Sequence, residues 1–332
     1  MTEQPTPNDQ STTTIPRTRL GELDVPRMGL GCMGMTTAYG RGNPDGGTAT
    51  IRHALDRGAN LLDTADIYAS GSNEELVGRA IAGRRDDAVI ATKCGITTLP
   101  VIGLPIGVNG HPSYLRRGAE ASLKRLGTDV IDLYYLHRID PNVPIEESVG
   151  AMAELVKRGL VREIGLSEVG PADLRTAHAT HPIAAIEMEW SIVSRELEDE
   201  VVPVARELGI GIVGYSPISR GMLSGDAAGM NPGLLDFRRL LPRWQRTNRE
   251  HNARLVDAVR AIAARHRATP AQVALAWVLV KGEDVIPIPG TSKPHRLDEN
   301  LGAFDIELTP EDTAILDGLT AAGERYGRTG GA

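Results

Sequence analysis

The chain has 332 residues, 41% of them hydrophobic and 24% charged, a composition that suits a globular protein with a large buried core and excludes a disordered or fibrous one. Its formal charge of −7 comes without a dense Lys/Arg run interleaved with aromatics, so no nucleic-acid surface is expected, and no apolar run reaches the roughly 18 to 20 residues that a membrane span needs. Two cysteines, Cys32 and Cys94, are too few for a disulfide framework or a structural zinc site; they read as small buried residues, and no metal is expected.

Residues 1–14 are polar, rich in Pro, Thr and Gln, and lack an apolar signal-peptide core, so they read as a flexible tail on a cytoplasmic protein. Residues 18–25 look like a short hairpin around Gly21-Glu22. From there short β-rich runs alternate with amphipathic helical stretches. The strand candidates are 27–32, 60–63, 88–93, 131–137, 161–166, 183–187, 211–215 and 285–289. Eight βα units in this order predict an α/β fold, a (β/α)8 TIM barrel spanning 15–332 as one domain, with the hairpin closing its bottom.

The helices carry local signals. Asn73-Glu74-Glu75 reads as a capped acidic first turn, and Pro171, Pro270 and Pro310 each fall where a first helical turn starts. Leu255, Val259, Ile262 and Ala263 recur on one face of 249–265 and predict core. Two stretches, 95–112 and 218–248, are too long for plain connections and follow strand ends, so they are expected to be lids over a pocket.

Asp63, Tyr68, Lys93 and His137 lie at or just beyond the ends of successive strand candidates, where parallel α/β proteins place their chemistry. A phenol with a pKa of about 10 is a poor acid at neutral pH and needs help to donate a proton. An ammonium at Lys93 lowers the Tyr68 pKa, and a carboxylate at Asp63 keeps that lysine charged and oriented. His137 is placed to hydrogen-bond a substrate carbonyl oxygen. Taken singly, each has a plain structural reading as a cap, a rim aromatic or a core imidazole; together they suit reduction of a small-molecule carbonyl.

The motifs Gly31-Cys32-Met33-Gly34-Met35, Leu62-Asp63-Thr64-Ala65-Asp66-Ile67-Tyr68, Lys93, Leu133-Tyr134-Tyr135-Leu136-His137-Arg138 and Gly165-Leu166-Ser167-Glu168 resemble those of the aldo-keto reductase family, over about residues 19–320. The resemblance implies a (β/α)8 barrel that reduces aldehydes or ketones with NADPH. It implies Tyr68 as general acid, Lys93 and Asp63 as its tuning pair, and His137 as the group that orients substrate.

A reductase needs a hydride source, yet no Gly-x-Gly-x-x-Gly opens a helix here. Residues 288–300 follow the last strand and open a helix at Pro294, and backbone amides, hydroxyls and cations at a helix start favour phosphate. The resemblance assigns Gly290, Thr291, Ser292, Lys293 and Arg296 to the adenosine 2′-phosphate end of NADPH, and Glu299 and Asn300 to adenine. It places the Tyr215 ring on the nicotinamide, with Ser216, Pro217, Ile218, Ser219, Arg220 and Gly221 along the pyrophosphate. Met33 joins the cofactor residues, and Ser167, Glu168 and Glu187 meet the nicotinamide carboxamide. Many family members carry Gln at Glu187; an ionised Glu there accepts from the carboxamide but cannot donate to it. Two other functions fit the same residues: an NADPH-binding regulatory subunit on the same scaffold, and a lyase using Lys93 as a Schiff base. Neither the particular carbonyl nor the oligomeric state is written in the sequence.

Overall fold

Period-two alternation inside strands and period-3.6 stripes on helices produce the expected layers. The structure, a computed structural model, describes residues 14–36, 42–99, 105–233 and 236–326. Of the segment read as a tail, residues 1–13 lie outside the described residues. With strands numbered in chain order, β1 (Arg17–Leu20) and β2 (Leu23–Pro26) form the antiparallel hairpin. The barrel strands are β3 (Leu30–Gly31), β4 (Leu61–Asp63), β5 (Val89–Cys94), β8 (Ile131–Leu136), β9 (Val161–Ser167), β10 (Ala185–Glu189), β11 (Gly211–Tyr215) and β12 (Val285–Ile288). All neighbours in this sheet are parallel, in the order β3-β4-β5-β8-β9-β10-β11-β12. A bridge between Gly31 and Gly290 brings the two ends together, with Gly29 N donating to Pro287 O at 3.1 Å and Gly31 N to Pro289 O at 3.2 Å. Glycine is required at that seam, because a Cβ on Gly31 would meet Ile288 O at 2.9 Å.

Differences from the sequence reading are local. The β3 ladder covers only two residues of 27–32, because its outer partner is a seam of irregular bonds. Strand β10 lies two residues later than 183–187. Asn73 does not cap its helix. It lies inside α2 (Ser72–Ile81), whose N-cap is Gly71, and its buried amide donates to Cys32 O and Thr36 Oγ1 while accepting from Thr64 Oγ1. The acidic turn stands, but Glu74 is buried on Thr92 and Arg125. Pro171, Pro270 and Pro310 open their helices as expected, and the four stripe residues of 249–265 are buried in the helix Arg246–Arg265. Cys32 and Cys94 are free and buried.

The described residues of both long stretches are folded. Within 95–112, β6 (Ile96–Thr98) pairs antiparallel with β7 (Pro105–Val108), while 100–104 lie outside the described residues. Within 218–248, short helical turns surround an apolar cluster of Met222, Met230, Leu241, Trp244 and Val256; residues 234–235 lie outside the described residues. No helix among the described residues is long and apolar enough to cross a membrane.

The barrel interior is filled from below. Leu20, Leu23 and Val25 of the hairpin join Leu61, Ala91, Leu133, Tyr135, Ala185, Val213 and Ile286 in one buried cluster. Gly165 gives the Tyr135 ring its place, since a Cβ there would meet Tyr135 at 2.5 Å. Above this apolar plug the same inward rows continue, two residues further along each strand, to Asp63, Lys93, His137, Ser167, Glu187 and Tyr215. The site is therefore the upper layer of the barrel filling. Leu20 is fully buried, so Leu20→Ala should lower unfolding stability by about 3 kcal/mol in urea titrations. A loss below about 0.5 kcal/mol would mean the hairpin is not part of the interior packing.

Candidate active site

Lys93 is the centre of the upper layer. Strand β5 turns its side chain inward, where none of it reaches solvent. Its Nζ donates to Asp63 Oδ1 and Oδ2, each at 2.6 Å, and to Thr64 O at 2.8 Å, so its three donors are all used. From β10 on another wall, Glu187 brings its Oε2 to 3.3 Å from the same nitrogen as an ion-pair contact, without a hydrogen bond of its own. Burial acts to lower the Lys93 pKa, but Asp63, then Glu187, outweigh it and hold the ammonium well above its ordinary range. A charged nitrogen with three committed protons has no lone pair for a Schiff base, which argues against the lyase reading.

Tyr68 stands over this charge. Just beyond β4 it opens a turn, Tyr68–Gly71, in which Ala69 and Ser70 take left-handed backbone angles, φ 49° and 53°. Such angles in non-glycine residues are strained and cluster where a site demands them. The ring centroid lies 5.5 Å from Lys93 Nζ and 6.2 Å from that of His137, edge to face at 83°. Burial pushes the phenol up, Lys93 pulls it down, and Asp63 and Glu187 push it up again; the net direction is upward. The expected lowering is thus present as a contribution of Lys93 and is outweighed here. Tyr68 consequently keeps its proton at neutral pH.

His137 follows β8. Burial, then Arg138 and Lys93, hold its imidazole well below the ordinary histidine range, so it is neutral. Its Nδ1 is buried without a hydrogen-bond partner. A neutral imidazole has one N–H to give, which suits a hydrogen bond to an uncharged oxygen.

The residues expected at a cofactor fall in two groups. Around the barrel mouth, Ser167 Oγ accepts from Arg138 at 3.1 Å. Glu168, itself left-handed at φ 50°, accepts from the Tyr215 hydroxyl at 2.9 Å and from Arg325 at 3.1 and 3.2 Å. Burial raises its pKa, but Arg325 more than reverses this and holds the carboxylate below its usual range. The Tyr215 hydroxyl also meets that of Tyr326 at 2.9 Å. Beyond Tyr215 the chain winds through Ser216, Ser219, Arg220 and Gly221 with positive φ, Pro217 and Ile218 lying between them. Arg220 turns inward to Glu189 at 2.7 Å and lies 4.7 Å over the Tyr326 ring. Met33 is half-buried in the turn after β3. Glu187, expected at the carboxamide, has its Oε2 3.3 Å from Lys93 Nζ.

The second group surrounds the helix Pro294–Leu301. Gly290 makes the barrel seam, Thr291 Oγ1 accepts from Lys293 N at 3.2 Å, Ser292 is half-buried, and Lys293 is the exposed N-cap residue. Arg296 bridges Glu299 at 2.6 Å and Asp226 at 3.0 Å, and Asn300 is buried. Glu299 Oε1 is buried without a hydrogen-bond partner. Two cations and two hydroxyls at a helix start suit a phosphate, with the Arg296 guanidinium here held by Glu299 and Asp226.

Arg325, Tyr326 and Arg138 were not singled out by the sequence. Arg325 and Tyr326 follow the last helix, where periodicity carries no signal, and only their arrival against Glu168 and Tyr215 reveals them. Arg138 was visible as the residue after His137, but nothing in the order of residues showed that it reaches Ser167.

Known proteins are similar to this chain along most of its length. The family model described as the Aldo/keto reductase family matches residues 27–321. Probable aldo-keto reductase 1 of Glycine max is 44% identical over 312 residues, which cover 92% of this chain and 89% of that protein. Among solved structures, the glycerol dehydrogenase of Gluconobacter oxydans superposes with a TM-score of 0.82 at 29% identity, covering 93% of this chain and 95% of that one. An aldo-keto reductase of Klebsiella pneumoniae, solved in complex with NADPH, gives 0.70 at 28% identity, covering 90% and 92%. With the barrel, its hairpin and these matches together, the chain belongs to the aldo/keto reductase family of oxidoreductases that act on carbonyl and alcohol groups.

Proposed function

We propose that the protein reduces an aldehyde or ketone to the alcohol with NADPH, using Tyr68 as proton donor. The observation that carries this reading is the buried Lys93 ammonium, clamped by Asp63 beneath the Tyr68 ring, which meets the His137 ring edge to face. When bound, the nicotinamide supplies the hydride for the carbonyl carbon. Tyr68 gives its proton to the carbonyl oxygen, and Lys93 offsets the charge left on the phenolate. Neutral His137 donates a hydrogen bond to the same oxygen and so fixes which face of the carbonyl meets the donor. The apolar plug below and the folded stretches around the mouth limit water at the reacting atoms.

Support for NADPH over NADH comes from the helix at Pro294. Lys293 adds a mobile point charge and Arg296 a planar fork, both at a backbone start suited to phosphate. The Klebsiella relative binds NADPH, which agrees with this.

Tyr68→Phe should lower kcat about 10²- to 10⁴-fold while leaving the NADPH dissociation constant unchanged in a fluorescence titration. Unaltered turnover would remove Tyr68 from the reaction. NADPH binding without consumption across a panel of aldehydes and ketones would favour a regulatory subunit. The double substitution Lys293→Ala with Arg296→Ala should weaken NADPH about tenfold to a hundredfold and leave NADH nearly unaffected. Equal weakening of both cofactors would place the 2′-phosphate elsewhere.

A further inference from the structure

Glu187 stands out as a buried carboxyl that the proton-donating scheme does not yet use. Its strand neighbours in the ladder are Ser167 on β9 and Val213 on β11, neither of them ionisable. The charged or titratable groups that do face it are Asp63 from β4, Tyr68 from the turn beyond, Lys93 from β5, and Tyr135 and Arg138 from β8 and its end. Its side chain is 4% exposed.

Charge and hydrogen bonding both limit its state. The three Lys93 hydrogen bonds go to Asp63 and Thr64, and Glu187 Oε2 stands outside them as an ion-pair contact at 3.3 Å. As a carboxylate it would put two negative charges and one positive charge into a desolvated pocket, and an uncompensated buried charge is costly. As a carboxylic acid it leaves the group neutral overall, and its proton would have an acceptor in Asp63, whose carboxylate sits on the same Lys93 ammonium at 2.6 Å. Two carboxyls around one ammonium then share a single proton.

We propose, on the basis of the reductase reading, that Glu187 is a positioning residue that acts through Lys93 by holding this proton against Asp63, and that it does not seat the nicotinamide. Burial, then Asp63, push its carboxyl up to about 8, against the pull of Lys93. The proton is therefore retained at neutral pH and lost on the alkaline side. Its loss sets a second negative charge beside Lys93 and Tyr68, which raises the phenol further and makes it a poorer acid. Gln cannot ionise, so a glutamine here carries no such alkaline limit. The glutamate gives this chain a reduction rate that falls with rising pH.

Linkage supplies a readout that needs no turnover. The native carboxyl holds its proton up to about pH 8, whereas the unfolded glutamate loses it near the ordinary 4.5. The native state thus binds more protons across that window, and this group's contribution to stability declines as pH rises through it. The Tm of Glu187→Gln should therefore exceed that of the wild type by a margin that widens from about pH 5 to about pH 8. In parallel, NADPH-driven reduction of 4-nitrobenzaldehyde should fall in the wild type above about pH 8 and stay level in Glu187→Gln over the same range, with NADPH affinity changed less than about threefold. A constant Tm margin or superimposable pH profiles would each overturn the proposal, and a gain of NADPH affinity on the order of tenfold in Glu187→Gln would return the position to the nicotinamide carboxamide. Absence of turnover in both proteins would instead sink the reductase reading, and is told apart because the Tm margin does not depend on turnover.

Discussion

A lysine ammonium with no solvent exposure is the constraint to which the rest of this barrel conforms. Removing such an ion from water costs several kcal/mol even after relaxation, and an unpaired one would lose its proton instead. Asp63 supplies the opposite charge and Thr64 the remaining acceptor. Those partners come from β4 and its end, the strand adjacent to β5, so the pair exists only when the parallel register aligns Asp63 with Ala91, two residues before Lys93. Closure at Gly31 and Gly290, and the hairpin filling the bottom, keep water from reaching the pair from below. Stability and chemistry meet in the same residues here. The ion pair is tolerated because the fold encloses it, and its charge is available to Tyr68 because the same enclosure keeps it unscreened.

The mouth of the barrel is organised by a second, wetter network. Arg325 and Tyr326 return from beyond the last helix to Glu168 and the Tyr215 hydroxyl, and Arg220 joins them through Glu189 and the Tyr326 ring. The Tyr215 ring is thereby held by its hydroxyl end while its face stays free of that bonding. Three strand ends and the C-terminal segment are tied at one point. This accounts for the strained, positive-φ course of the chain after Tyr215, which has to carry Arg220 inward rather than out to solvent.

Much of this was legible in the order of residues. Strand positions follow from short β-rich runs alternating with helical stretches, so Asp63, Lys93 and His137 could be placed at strand ends without coordinates. Prolines marked helix starts because their missing N–H costs nothing there. What the sequence could not convey was distance across the barrel. Glu187 is assigned to the cofactor by the resemblance alone, and only the meeting of β10 with the Asp63–Lys93 pair shows its carboxyl beside Lys93. Asn73 misled for a similar reason: an Asn before two acidic residues has the pattern of a cap, yet burial recruited its amide to tie its helix to the turn after β3 and to the end of β4. The sign of the Tyr68 shift was also out of reach, since Lys93 is visible in the sequence and the extent of burial is not.

The central claim concerns where protons sit in the Asp63–Lys93–Glu187 group, and neutron diffraction from deuterium-exchanged crystals at neutral pH observes them directly. The account predicts three deuterons on Lys93 Nζ, one on the Tyr68 oxygen, and one held between the Glu187 and Asp63 carboxyls. A neutral lysine, or a Glu187 without a deuteron beside a fully charged Lys93, would contradict it.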